Sequence, residues 1–275
     1  MSQSPGEPQA LPPIRRIADD LRRRIAAGEY TPGTRLPSTR QLANAYSVDP
    51  KTIYRSVALL KESGQLVSRQ GAGVYVPPEP RAAILREPQI RYPWEKERAQ
   101  LPLAERQESG TGEFDTGRRR DELDFPAQFS RVAAEPDVAE RMGIAPGTDL
   151  LRRLYRTTVR EEEVPLSLIT SYIPYDLAAQ NPDLLDEGRE PWPGGTMHQL
   201  KTVGVEIDRI VDESHSRPPT LEEQAALQLA SGWPVVELHK VSYSTEDAVV
   251  EYSQVILPGD RTTLRYTIQL ERWPA

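Results

Sequence analysis

Residues 36–76, LPSTRQLANAYSVDPKTIYRSVALLKESGQLVSRQGAGVYV, constrain the fold of this chain more than any other stretch. Two short amphipathic segments flank a tight turn, and a β-rich pair of runs follows. Ser38 and Gln41 have the spacing of a capping box, in which hydroxyl and amide each satisfy the other residue's backbone N–H. Leu42, Ala43 and Tyr46 then share one face. Ser47-Val48 makes the turn. Asp49 suits an N-cap, and Pro50 suits the first helical position, where a missing N–H has no helical partner. Ile53, Val57 and Leu60 form the apolar stripe of this second helix, and Lys51, Thr52 and Arg55 project from its other side with Tyr54 beside Lys51. Gly64 stops it where a left-handed residue is favoured.

A preceding helix is expected from Ile14 to Ala27, with Ile14, Ile17, Ala18, Leu21 and Ile25 on its buried stripe. Arg15, Arg22 and Arg23 lie off that stripe and read as a solvated face. Gly28 ends the helix and Thr31-Pro32-Gly33 turns the chain. After Gly64, Val74 and Val76 alternate as a strand should, with Gln70–Gly73 as a tight tip. Short helices at this spacing are the helix-turn-helix pattern, whose second helix enters the DNA major groove by its N-terminal end. The candidate DNA contacts are Ser38, Arg40, Lys51, Thr52, Tyr54 and Arg55 on the helices, and Arg69, Gln70, Gly71 and Gly73 on the wing. Glycines at the wing tip let backbone approach a duplex, and Arg69 and Gln70 suit phosphate or minor-groove contact.

Charge is divided along the chain. Up to Pro78 there are 11 Lys+Arg against 6 Asp+Glu, or +5; the whole chain has 34 against 41, leaving 23 against 35, or −12, for the remainder. A basic module joined to an acidic body fits a DNA-facing end and a body that stays off DNA. The length of 275 residues suits two domains with real cores. No apolar run approaches the roughly 20 residues a membrane helix needs. The opening MSQSPGEPQALPP lacks the basic start and apolar core of a signal peptide, so residues 1–13 are expected to be a disordered arm. With no cysteines, disulfides, thiol chemistry and Cys-ligated zinc are excluded, which fits a cytoplasmic location. His198, His215 and His239 show no metal-ligand spacing, and no nucleophile elbow, Walker loop or dinucleotide fingerprint is present. No catalytic residue, metal or cofactor is therefore expected.

Prolines at 77, 78, 80, 88, 93 and 102, with the alternating charges of EKERAQLPLAERQE, lead us to expect a linker over residues 79–124. Tyr92 and Trp94 would dock it on a neighbouring surface. From about Phe125 the chain reads as α+β. A short helix at Pro136–Met142 precedes strands at Leu150–Arg160 and Val164–Ile173, turned at Glu161–Glu163. A Gly194-Gly195-Thr196 opening starts a helix to Val203, and a strand runs from about Val205 toward His215. A second capping box at Thr220–Glu223 starts a helix to about Ala230. Strands at Pro234–Thr245, Val249–Leu257 and Leu264–Leu270 complete a mixed sheet with helices on its faces or ends.

Residues Ile14–Val76 resemble the winged-helix domain of the GntR family of bacterial transcription regulators. The resemblance is carried by Gly28, Pro32-Gly33, Leu36-Pro37-Ser38, Arg40, Leu42-Ala43, Gly64 and Gly71-x-Gly73 as a set. The later motifs ERMGIAPGT, LLRRLYRT, VPLSLITSYIP, GGTMHQL, PPTLEEQAALQL and VVEYSQVILPGDR follow the order of the UTRA effector-binding domain of the HutC subfamily. The resemblance implies a winged helix-turn-helix domain at 14–78 and a chorismate-lyase-like UTRA domain at 125–275. It also implies a homodimer, a palindromic operator on double-stranded DNA, and a small-molecule effector. Carried over by residue, Arg156 matches the first arginine of an Arg-x-Arg pair whose second position is Thr158. Thr196 and His198 lie on the Gly-Gly-opened helix, and Glu251 matches a ligand-facing carboxylate. Ile169 and Leu257 replace the usual acidic and aromatic residues, which makes the pocket more apolar than that of a phosphosugar binder.

The implied function is a ligand-responsive DNA-binding regulator, a repressor, whose effector changes the relative placement of two DNA-binding heads. Asp49-Pro50-Lys51 departs from the Ser or Thr followed by Arg that is frequent in the family. Two rivals differ in class. One is a constitutive dimeric regulator of plasmid or conjugation functions without an effector, which a metabolite thermal-shift screen would separate. The other is a lyase-like enzyme, for which the sequence shows no acid–base pair.

Overall fold

The computed structural model describes residues 12–69, 71–77, 84–161, 164–230 and 232–273. The expected arm at 1–13 falls almost wholly outside them, as do Gln70 and Glu162-Glu163. The chain divides into two compact units, the first ending at Glu79 and taking in Ala230–Trp233, the second running from Pro80.

In the first unit, α1 (Pro13–Ala26), α2 (Thr39–Tyr46) and α3 (Pro50–Glu62) precede a two-stranded wing, β1 (Val67–Arg69) and β2 (Gly73–Tyr75). Local chemistry fixes the ends. Ser38 and Gln41 form the capping box, and Asp49 accepts from Lys51 N at 2.7 Å. Ser47 takes the left-handed conformation between α2 and α3, with φ 54°. Ile17, Leu21, Ile53, Leu60 and Leu66 are almost fully buried around one core. Each contributes about 1.5–3 kcal/mol through apolar area removed from water. The antiparallel wing pairs Val67 with Tyr75 and Arg69 with Gly73. Arg22 and Arg23 pair with Asp19 and Asp20 along the surface of α1, at 2.5 and 2.9 Å.

The second unit opens with the stretch expected to be a linker, and that expectation is corrected. β3 (Ile84–Arg86), α4 (Pro88–Arg98), α5 (Leu103–Glu108), α6 (Thr111–Thr116) and β4 (Leu123–Asp124) all belong to the unit. Two of the prolines are placed where a helix tolerates them. Pro88 occupies the first turn of α4 and Pro102 caps α5; only Pro93 interrupts a helix interior. Within the run of alternating charges Glu97, Glu105 and Glu108 are exposed, but Glu95 and Arg98 are buried, which charged residues tolerate when their polar atoms find partners. Tyr92 donates to Asp212 Oδ2 at 2.6 Å, and Trp94 stacks on Phe114 at 4.7 Å.

β5 (Ala127–Ala133), α7 (Pro136–Met142), β6 (Asp149–Val159), β7 (Val164–Pro174), α8 (Tyr175–Ala178) and α9 (Gly195–Lys201) follow. β8 (Ile207–Arg217), α10 (Leu221–Ala226), β9 (Val235–Ser244), β10 (Val249–Pro258) and β11 (Thr262–Leu264) complete the chain. Seven strands form one sheet in the order β4-β6-β7-β10-β9-β8, with β5 also on β6. Every pairing in it is antiparallel, so the mixed sheet expected from the sequence is not observed there; parallel pairing is confined to β3 with β11. The strand expected over Leu264–Leu270 stops at Leu264, because its partner β3 ends at Arg86 and leaves no ladder to extend. Tyr266, Ile268 and Leu270 beyond it are exposed. Three clusters of buried side chains pack this unit, two of them reaching Leu150 and Tyr252 on one side and Leu238 and Leu257 on another.

Candidate functional site

On the first unit, Arg40, Lys51, Tyr54 and Arg55 are exposed on α2 and α3, and Thr52 is half-buried. This leaves a cationic surface around the N-terminal turns of α3, the end a helix-turn-helix presents to base edges. Ser38 is exposed, but its side chain is engaged in the capping box, 2.8 Å from Gln41 Oε1. Arg69 on the wing lies over the Tyr75 ring at 4.4 Å. Gly71 has φ +70° in open space, as a tip glycine should. Gly73 has φ +117°, and a Cβ there would stand 2.7 Å from the side-chain Nε of Arg35, whose backbone bridges to Tyr75. Gln70 lies outside the described residues.

The second unit holds a cavity of about 170 Å³. Engineered cavities of about 150 Å³ hold one benzene, so the space admits a small metabolite. Its floor is a polar row across the sheet. Arg153 on β6 pairs with Ser171 on β7, Ser171 with Ser253 on β10, and Ser253 with Lys240 on β9. Arg153 is 1% exposed. It donates to Gln199 Oε1 at 2.6 Å, Ser171 Oγ at 2.6 Å and Glu251 Oε1 at 2.9 Å, with Thr196 Oγ1 at 3.4 Å. Glu251 also receives Lys240 Nζ at 2.9 Å and the hydroxyls of Ser171, Ser242 and Ser253. Burial pushes the Glu251 carboxyl up, but the Lys240 and Arg153 charges win and hold it down at about 2. Burial also raises the Tyr155 phenol, which stays protonated and donates to Glu190 Oε1 at 3.0 Å.

The five effector candidates divide. Thr196 and Glu251 line the cavity; Arg156, Thr158 and His198 do not. Arg156 is exposed. Strand alternation is the reason: Arg153, Tyr155 and Thr157 face inward along β6, and a one-residue shift in reading puts Arg156 on the opposite face. Thr158 follows a register shift between Thr157 and Thr158 and pairs with Asp124. His198 acts one step back, accepting from Trp192 Nε1 at 2.9 Å while Trp192 lines the cavity. Burial and the nearby Arg106, Lys201 and Arg98 lower its pKa to about 4. Leu257, read as a pocket neighbour, is instead in the hydrophobic core, whereas Ile169 lines the cavity as read. The two-residue period from Arg153 to Thr157 was the signal for the inward face. Lys240, Gln199 and Glu190 carried none.

The remaining wall comes from the corrected stretch. Arg86, Arg91, Glu95, Arg98, Glu113 and Arg120 all line the cavity. Arg91 reaches Asp115 at 3.2 Å and Glu95 at 3.6 Å, and Arg120 reaches Glu113 at 3.6 Å.

Strand pairing also gathers histidines that sequence spacing left apart. His215, Glu237 and His239 bring potential ligand atoms within 4.8 Å of one another. The carboxylate is already committed. Glu237 accepts from Arg217 Nε at 2.5 Å and from Gln254 Nε2, and Arg217 also holds Glu223 at 2.6 Å. His239 Nδ1 meets the Tyr252 hydroxyl at 2.7 Å, and the two imidazoles stack at 5.4 Å. This cluster reads as an ion-pair network in which a cation would have to displace a guanidinium. Among the described residues no helix is long and apolar enough to cross a membrane.

Residues 13–76 match the family described as bacterial regulatory proteins, gntR family, and residues 127–263 match the UTRA domain. An uncharacterized HTH-type transcriptional regulator of Streptomyces coelicolor is 30% identical, covering 94% of this chain and 93% of that protein. The mannosyl-D-glycerate transport/metabolism system repressor of Escherichia coli is 26% identical over 88% of this chain and 90% of its own length. A crystal structure of a GntR-family transcriptional regulator shares the fold, with a TM-score of 0.68 at 22% identity, covering 94% of this chain and 98% of that one.

Proposed function

This chain belongs to the GntR family of bacterial regulatory proteins and carries its UTRA domain, and we propose that it is a cytoplasmic, homodimeric repressor released from a palindromic operator by a small-molecule effector. The relatives it matches are transcription regulators, and one of them is a repressor named for mannosyl-D-glycerate transport and metabolism. The observation that carries the effector half is the group of buried charges lining the cavity, where Glu251 receives Arg153 and Lys240 while Arg153 Nε makes no hydrogen bond. Taking these charges out of water is costly, and apolar residues of similar volume often serve stability as well. The cavity favours a small polar molecule with an anionic end, since its lining holds Arg86, Arg91, Arg98, Arg120, Arg153 and Lys240 against Glu95, Glu113, Glu190 and Glu251.

Phosphate contacts supply affinity, and Arg40, Lys51, Thr52 and Arg55 supply orientation and base readout. The effector acts by binding one form of the dimer better than the other. The test is titration of the full chain on DNA from upstream of its own gene, at several salt concentrations. The expected result is two chains per palindrome, with a log-affinity slope against log salt of about −0.9 per phosphate contacted. Salt-independent binding, or one chain on a single half-site, overturns the reading.

A further inference from the structure

Arg98 differs from the other arginines of the cavity. Arg86, Arg91, Arg120 and Arg153 each have a carboxylate oxygen within reach, at 3.9, 3.2, 3.6 and 2.9 Å. Among the described residues no carboxylate stands within 4 Å of Arg98, although the side chain is 4% exposed. Its Nη1 donates to the carbonyls of Arg106, at 3.0 Å, and Ser109, and its guanidinium lies over the Trp94 ring at 5.0 Å. Nε has no partner. Nη2 lies beside the opening of α9, 3.6 Å from where a Cβ on Gly195 would stand. In the same cavity lining Glu113 is also buried; its Oε1 stands 3.6 Å from Arg120 Nη1 and accepts no hydrogen bond.

A buried guanidinium with no carboxylate in contact is unfavourable, and so is a buried carboxylate oxygen that accepts no hydrogen bond. Burial accordingly lowers the Arg98 pKa, against the pull of Glu95 and Glu113. Both residues line the space that a ligand would fill. Both also sit on the stretch between the two family matches, which end at residue 76 and resume at residue 127.

We propose that Arg98 anchors the anionic end of the effector and that Glu113 accepts from a hydroxyl or ammonium on the same molecule. The ligand is then a small hydroxy- or amino-substituted anion, and residues 84–122 are part of the sensor. This rests on the effector reading above. A ligand of this class gives Arg98 a carboxylate or phosphate in contact and Glu113 a hydrogen-bond donor together, and its size suits a cavity of about 170 Å³. Charge-assisted pairing to a dry guanidinium is strong enough to select an anion over a neutral molecule of the same shape.

The experiment is calorimetry on the full chain without DNA, so its failure and that of the operator reading are seen separately. The probes are inorganic phosphate, acetate, glycolate, D-glycerate and neutral glycerol, at one ionic strength held with chloride. The intact protein should bind the anions and not glycerol, with glycolate or glycerate ahead of acetate. Arg98→Gln should weaken the anions by about tenfold or more, and Arg98→Lys should restore part of the loss. Glu113→Met should remove the preference of glycolate over acetate. Phosphate should raise the melting temperature of the parent and not that of Arg98→Gln, each compared with its own anion-free value. The proposal is overturned by equal anion binding in parent and Arg98→Gln, by equal stabilisation of both by phosphate, or by no anion binding in the parent.

Discussion

Arg153 on β6 and Glu251 on β10 form a buried ion pair at 2.9 Å although β7 runs between their strands. Ser171 on β7 bridges them, taking a hydrogen bond from Arg153 at 2.6 Å and giving one to Glu251 at 2.9 Å. Three strands are thus tied side chain to side chain beneath the cavity.

Breaking that tie has a calculable direction. Glu251→Ala leaves Arg153 and Lys240 buried without their shared carboxylate, and removing one partner of a buried pair costs about 3–5 kcal/mol. Urea denaturation of the full chain measures it; a loss below about 1 kcal/mol, the worth of a surface pair, contradicts the account.

The same carboxylate gives a pH dependence. Its folded pKa, about 2, lies below the ordinary 4.5. Its contribution is therefore complete above 4.5 and declines as pH falls from there toward 2. Denaturation midpoints across that window should fall with pH in the parent chain and fall less in Glu251→Gln.

Facing decides which arginine matters for the ligand. Arg156 is exposed on the far side of β6 and Arg153 faces the cavity, so Arg156→Ala should leave anion binding within about twofold, an ordinary surface effect. Binding lost in Arg156→Ala would move the pocket to the other face of the sheet.

His198 reports on Trp192. Its pKa, lowered to about 4, keeps the ring neutral and able to accept from the indole down to that pH. Protonation turns Nδ1 into a donor and breaks the bond. Indole fluorescence should shift with a midpoint near 4, and the shift should vanish in His198→Phe; a midpoint near 6.5 contradicts the burial argument.

On the DNA side, Arg40→Ala and Arg55→Ala should each weaken specific operator binding by roughly 1–3 kcal/mol, as loss of a bidentate base contact does. Lys51→Ala should weaken all sequences alike and reduce the salt slope by about one. Circular dichroism should show all three folded, since none is buried. Unchanged operator affinity in all three removes this surface from the interface.

The sequence by itself determined the first unit almost completely. Its signals are local: Ser38 with Gln41, Asp49 before Pro50, and stripes repeating with the helical period, each readable within a few residues. It also determined most strands of the second unit and, through motif order, its family. Facing and partnership were settled by tertiary structure. Whether Arg153 or Arg156 points inward depends on which face of β6 is covered, and a one-residue difference reverses the answer. Arg91 with Glu95 and Trp94 with Arg98 are one-turn neighbours on α4, but the burial of Glu95 and Arg98 and the carbonyl of Ser109 that Arg98 reaches come only with the fold. The row from Arg153 through Ser171 and Ser253 to Lys240 joins positions nearly ninety residues apart, and only strand register puts them in line. Charge is written in the chain one residue at a time, but whether a charge is compensated depends on neighbours that folding selects.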